Sequence, residues 1–218
     1  LVTYTGGQFF ADLSGVWNNM AGATFTLSAD VAIAFYGAGG YGTFNNYGTL
    51  KKTAGAGLGD LALNLRNAAA GSVVRSESGI LGFSASYVQT NGLTELAGGN
   101  FSGALLDIRG GLLTGAGNIA ANVSNGGQVA PGSGVGLLTI TNTIPQTYTS
   151  TTNSLVTFQI GGLNPGSGHD QIRINSSATL AGTLRAVLAN GYIPTAGNTY
   201  TVMTFTARSG VFTNYSFP

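Results

Sequence analysis

The chain has 218 residues, 43% of them hydrophobic and only 7% charged, with a net charge of +1 and no cysteine. A globular domain usually carries roughly 25% charged residues, so the depletion is deep. The absence of cysteine excludes disulfide and thiolate chemistry. Its eight basic residues are scattered, with only Lys51 and Lys52 adjacent, so there is no phosphate-neutralising patch for nucleic acid. The apolar stretches are interrupted every few positions, so no run of about 18 apolar residues predicts a transmembrane segment.

Taken from its start, the chain opens on LVTYTGGQFF (residues 1–10), whose alternation reads as a strand without any helix-cap signature. Residues 1–15 are assigned as an N-terminal strand and assembly segment. A chain opening at Leu1 without Met or a basic, apolar-cored leader reads as a processed mature segment. Aromatic residues (Phe9, Phe10, Trp17, Phe25, Phe35, Tyr36, Tyr41, Phe44, Tyr47) gather in the first 50 positions. Stacked core aromatics or a subunit contact are the expected roles, ahead of a sugar-binding platform.

From residue 16 a degenerate repeat sets in. Gly22, Gly48, Gly71, Gly92, Gly111 and Gly127 each precede a short apolar or threonine-rich run, at spacings of 26, 23, 21, 19 and 16. This is the period range of solenoids. The strands are three to five residues long, helical periodicity is almost absent, and the leucine ladder of a leucine-rich repeat is missing. Asparagine recurs beside the glycines, at Asn18, Asn19, Asn45, Asn46 and Asn67. Asparagine and glycine tolerate left-handed corners, and stacked amides hydrogen-bond between coils, so these asparagines predict a corner ladder. Residues 16–136 are expected to form about six coils of a parallel β-helix, tightening toward the C-terminus.

Texture changes at VAPGSGVGLLTI (residues 129–140). Beyond it LVTFQI, QIRI, TLAGTLRAVL and TYTVMTF alternate with period two, as strands with one wet face do. Residues 137–218 are assigned to a small antiparallel, β-sandwich-like domain that caps the solenoid edge. The predicted fold class is therefore all-β, a parallel β-helix followed by this domain.

The order of motifs carries a resemblance. FNNYGTLKKT, then GGLLTGAGNIAANVSNGGQVAPGSGVGLLTI, then DQIRINSSATLAGTL resemble autotransporter-passenger-like β-strand-repeat proteins from about residue 15 onward. The resemblance implies a secreted or surface-exposed parallel β-helix used in adhesion, matrix or envelope structure, right-handed by analogy. It supplies no shared catalytic residues.

Candidates for chemistry are few. His169-Asp170 lies in a glycine-rich turn with no G-x-S-x-G elbow, and a turn with an Asx-type bond is expected rather than a triad. Among Asp60, Arg66, Arg75, Glu77, Glu95, Asp107 and Arg109, a shared solenoid face could build a lyase or glycosidase site. Arg75 and Glu77, two apart on a strand, read first as a surface ion pair. The remaining acids are Asp12, Asp30 and Asp170, with no calcium-type array. The glycine clusters at 55–59 and 132–136 lack the ending of a phosphate loop and read as turns. The N-x-S sequons at Asn100, Asn122, Asn175 and Asn214 are expected by chance in so Asn/Ser-rich a chain.

No catalytic, cofactor-binding or metal residue is assigned, and no cofactor. The sequence predicts a non-enzymatic extracellular or surface structural protein, a subunit of a homopolymeric filament, matrix or surface layer built by head-to-tail β contacts. A surface adhesin or carbohydrate-binding β-helix is the alternative, with a polysaccharide lyase or glycosidase behind it. The expected partners are copies of itself, joined by strand addition or end-to-end stacking, with surface glycans under the alternative reading.

Overall fold

The computed structural model describes residues 1–6, 8–11, 15–35 and 41–218, with the backbone alone at 8–11 and 34–35. Asp12 and Tyr36 lie outside the described residues, as do the side chains of Phe9, Phe10 and Phe35. The described chain contains strands, turns and bends and no helix. Every strand ladder is parallel, and each turn of the chain lays one strand on each of three ladders.

The first ladder stacks Val2–Tyr4, Thr24–Leu27, Thr49–Lys52, Val73–Ser76, Leu93–Ala97, the start of Leu112–Asn125, Gln128–Pro131, Leu155–Ile160, Thr183–Leu188 and Asn214–Ser216. The second begins at Gln8–Ala11 and runs through Ala32–Phe35, Leu58–Leu61 and Ile80–Phe83 to Leu137–Ile140, Gln171–Ile174 and Met203–Thr204. The third begins at Val16–Asn19, passes through Thr43–Asn46, Asn64–Asn67 and Tyr87–Gln89, and ends with Tyr148–Ser150, Ser177–Leu180 and Ala207–Gly210. Asn100–Ile108 and Leu112–Asn125 are long because each turns a corner and serves two or three ladders. This is the parallel β-solenoid that the repeat predicts.

The glycines mark its coils. Gly48, Gly92, Gly111, Gly127 and Gly182 each immediately precede a strand of the first ladder. Gly92 shows why: its φ is +79°, and a Cβ there would lie 2.4 Å from the Ser72 carbonyl oxygen of the coil below.

Alternation along each strand sends every second side chain inward, and register stacks these into columns. Leu50, Val74, Leu113, Val129 and Val156 share one such column with Thr94. Phe44, Leu65, Tyr87, Leu106, Val123 and Tyr148 share another. All of these side chains are buried. Each buried large aliphatic side chain contributes roughly 2 kcal/mol by leaving water.

Residues 137–218 depart from expectation. Leu155–Ile160 pairs in parallel with Thr183–Leu188, which pairs in parallel with Asn214–Ser216, and Gln171–Ile174 lies parallel to Leu137–Ile140. The antiparallel, sandwich-like assignment is therefore corrected: the solenoid continues, giving nine coils and the start of a tenth among the described residues, rather than six. The physical reason is that period-two alternation reports which face is buried and not which way the neighbour runs. An isolated bridge between Ile160 and His169 is the one antiparallel contact among the described residues.

The tightening also reverses. Along the first ladder the register steps are 24 from Leu50 to Val74, then 20 to Thr94, 19 to Leu113 and 16 to Val129. They then widen to 27 at Val156, 28 at Leu184 and 31 at Tyr215. Val2–Tyr4 and Gln8–Ala11, in the segment assigned to assembly, pair with the second coil and complete the first.

Candidate functional site

The asparagine doublets build two ladders on the third face. The outer one is exposed, with Asn45 Nδ2 donating to Asn18 Oδ1 at 2.9 Å. The inner one is buried: Asn19 donates to Asn46 Oδ1 at 2.7 Å, Asn46 to Asn67 Oδ1 at 2.9 Å and Asn67 to Gln89 Oε1 at 3.2 Å. Each amide also donates to the backbone carbonyl that opens a first-ladder strand, Thr49, Val73 and Leu93 in turn. One NH2 group thus ties neighbouring coils twice. Gln89 extends the ladder beyond the predicted asparagines, and Ile108, next in register, ends it.

Charged side chains from the sequence divide among the faces. Register stacks Lys51, Arg75 and Glu95 outward on the first ladder. Arg75 Nε lies 3.4 Å from both Glu77 and Glu95, and Lys51 lies 3.7 Å from Glu77. The expected Arg75–Glu77 pair is present, inside a self-neutralising group of four. Asp60 sits on the second ladder and accepts hydrogen bonds from the Ser84 amide and hydroxyl. Asp107 on the third ladder accepts from Arg109 Nε at 2.7 Å. The structure therefore does not gather these seven residues into one site. A groove of about 490 Å³ adjoins Arg75 and Glu95 and is otherwise lined largely by small residues, among them Gly98, Gly115 and Gly132.

An ion pair between a buried lysine and an exposed aspartate escaped sequence reading. Lys52 is fully buried and donates to Asp30 Oδ1 at 2.9 Å and to the carbonyls of Ala54 and Gly55 at 2.6 and 3.0 Å. The Lys52 hydrogen bond, followed by one from the Gly57 amide, holds the Asp30 carboxyl below its ordinary range. The cluster at Gly55, Gly57 and Gly59 makes room for this pair. A Cβ on Gly55 or Gly57 would strike the Asp30 carboxylate, and one on Gly59 would come within 2.9 Å of Lys52 Cε.

His169 and Asp170 are both buried. Asp170 accepts the amides of Gly136 and Gln159, each at 2.7 Å, and burial pushes its carboxyl up to about 6 against those two bonds. His169 meets the Gly162 carbonyl through Nδ1 at 3.1 Å and packs edge-on against Tyr200 at 5.4 Å. The carboxylate is bonded to backbone amides rather than to the imidazole, so the pair staples turns instead of orienting a base. The second glycine cluster supplies one of those amides, which is the turn role expected of it.

Among the aromatics, Trp17, Phe25 and Phe44 cluster with ring centroids 5.6 to 6.4 Å apart, as core or packing groups. Tyr47 is instead 37% exposed. It borders a polar groove of about 500 Å³ with Asn45, Arg66, Thr90 and Arg109. Among the described residues no group of three or more His, Cys, Asp or Glu could hold a metal ion. Nor, among the described residues, is any helix long and apolar enough to cross a membrane. No protein-family model, curated protein or solved structure matches the chain.

Proposed function

We propose that this chain is a non-enzymatic structural rod that works outside the cell or on its surface and assembles end to end with its own copies. The observation that carries the reading is the inner amide ladder running through a continuous stacked core. Its hydrogen bonds join one coil to the next and create no cleft. Charged groups follow the same pattern: Lys52 with Asp30, Arg75 with Glu77 and Glu95, and Arg109 with Asp107 are all engaged with one another. A chain with so little charge has weak electrostatic protection against self-association.

The contact is coil edge on coil edge. Val2 and Val16 on first-coil strands are 54% and 60% exposed, and Tyr215 on the last described strand is 58% exposed. Strand edges and apolar side chains of this kind support parallel pairing between copies, and a head-to-tail contact that does not close propagates into a filament. Sedimentation velocity at rising concentration tests it. The chain is expected to give progressively larger species, and the double substitution Val2→Lys and Val16→Lys to give monomers with the same β circular dichroism. Assembly unchanged by those lysines would contradict edge stacking.

The groove over Arg66 favours a second reading, a carbohydrate-binding surface module; a rod could serve both.

A further inference from the structure

We propose that the groove bounded by Tyr47, Arg66 and Arg109 binds a carboxylated oligosaccharide, with the Arg66 guanidinium taking a uronate carboxylate. The inference does not depend on self-assembly.

Register creates the groove. Asn45, Arg66 and Val88 stack in one outward column of the third face. Two residues further along their coils, Tyr47 and Thr90 stand at the following corner, and Arg109 holds the equivalent place after Asp107. The depression between these two columns crosses four coils along the solenoid axis, roughly 14 Å at the spacing of adjacent strands. Its volume of about 500 Å³ falls in the range of ligand sites. A channel of this direction suits an extended chain rather than a compact metabolite.

The polar groups specify the chemistry. Arg109 is engaged by Asp107, whereas Arg66 is exposed and has no hydrogen-bond or ion-pair partner among the described residues. One free guanidinium suits a planar carboxylate, which it takes through two parallel hydrogen bonds. Asn45 donates to Asn18, and its Oδ1 has no protein donor among the described residues, so it can accept a hydroxyl. Thr90 adds an exposed hydroxyl, and Tyr47 offers a partly exposed ring with an apolar face and a phenolic O–H. Sparse positive charge among neutral donors and acceptors matches a sugar chain with occasional carboxylates. A polyphosphate or nucleic acid would call for a denser row of cations.

The test is calorimetric titration of the full chain with a size-defined oligogalacturonate and, in parallel, with the neutral oligogalactoside of equal length. Saturable binding of the acidic sugar alone is expected. Arg66→Gln should weaken it at least about tenfold, the scale of a lost hydrogen bond to a charged group, with thermal unfolding unchanged. Tyr47→Ala should weaken it independently. Absence of saturable binding, equal binding of the neutral sugar, or displacement by inorganic phosphate at equal concentration would overturn the proposal. So would affinity indifferent to Arg66→Gln. Loss of binding without change in sedimentation would separate this site from end-to-end assembly.

Discussion

Asn46, like Asn67, makes three inter-coil amide bonds. It accepts from Asn19 and donates to both Asn67 Oδ1 and the Val73 carbonyl, entirely away from water. Substitution to alanine strands donors and acceptors on three coils at once. Leaving a buried polar group unmatched costs about 1–3 kcal/mol, so Asn46→Ala is expected to lower stability by roughly 3 kcal/mol. A urea midpoint close to that of the parent chain would show that water takes over the ladder. The outer amide Asn45 is the internal control: its bond to Asn18 is exposed, and Asn45→Ala should be nearly neutral for stability. The asparagine doublets were legible in the sequence because amides beside corner glycines have few other reasons to recur. Lys52 was not. Alternation in TLKK puts it on the inner side with Leu50, but a lysine is ordinarily read as solvated, and only register reveals Asp30 beside it.

At the scale of strands and turns, Asp170 joins two coils. Its carboxylate accepts the amides of Gly136, before one second-ladder strand, and Gln159, in Leu155–Ile160, thereby fixing a turn to a strand. Burial raises its folded-state value to about 6 from an ordinary 3.8. Below about pH 4 the group is protonated whether the chain is folded or not, and its contribution to stability is fully present. As pH rises toward 6 the unfolded chain sheds the proton first, so that contribution is lost. The stability of the parent chain relative to Asp170→Asn should therefore be greatest near pH 4 and shrink by about pH 7. Urea titrations of both proteins at the two pH values check this, and a pH-independent difference would contradict it. The strands themselves were legible up to residue 136, where corner glycines precede the first-ladder strands at a falling spacing. Beyond it, the connectors at 161–170 and 189–202 widen the coils and hide the period. Alternation then remained, and it carries burial but no direction. The Arg66 groove was illegible for a related reason, since its residues come from four coils and meet only once register is known.

At the scale of the whole chain, the nine stacked coils of the described residues span about 43 Å at about 4.8 Å per coil. Its three ladders run parallel throughout the described residues, its interior is apolar apart from buried amides, hydroxyls such as Ser76, Thr94 and Ser150, and the staples just described, and four of its eight basic residues are ion-paired. Such a body offers a three-stranded cross-section along its length. Those properties support the proposed building unit, whose polymer would keep the corner groove open on every copy. Negative-stain electron microscopy of the purified chain at neutral pH and rising concentration tests the central claim most directly. The account predicts unbranched filaments with an axial repeat of roughly 43 Å, one nine-coil subunit. Short rods that remain single at every concentration would contradict it.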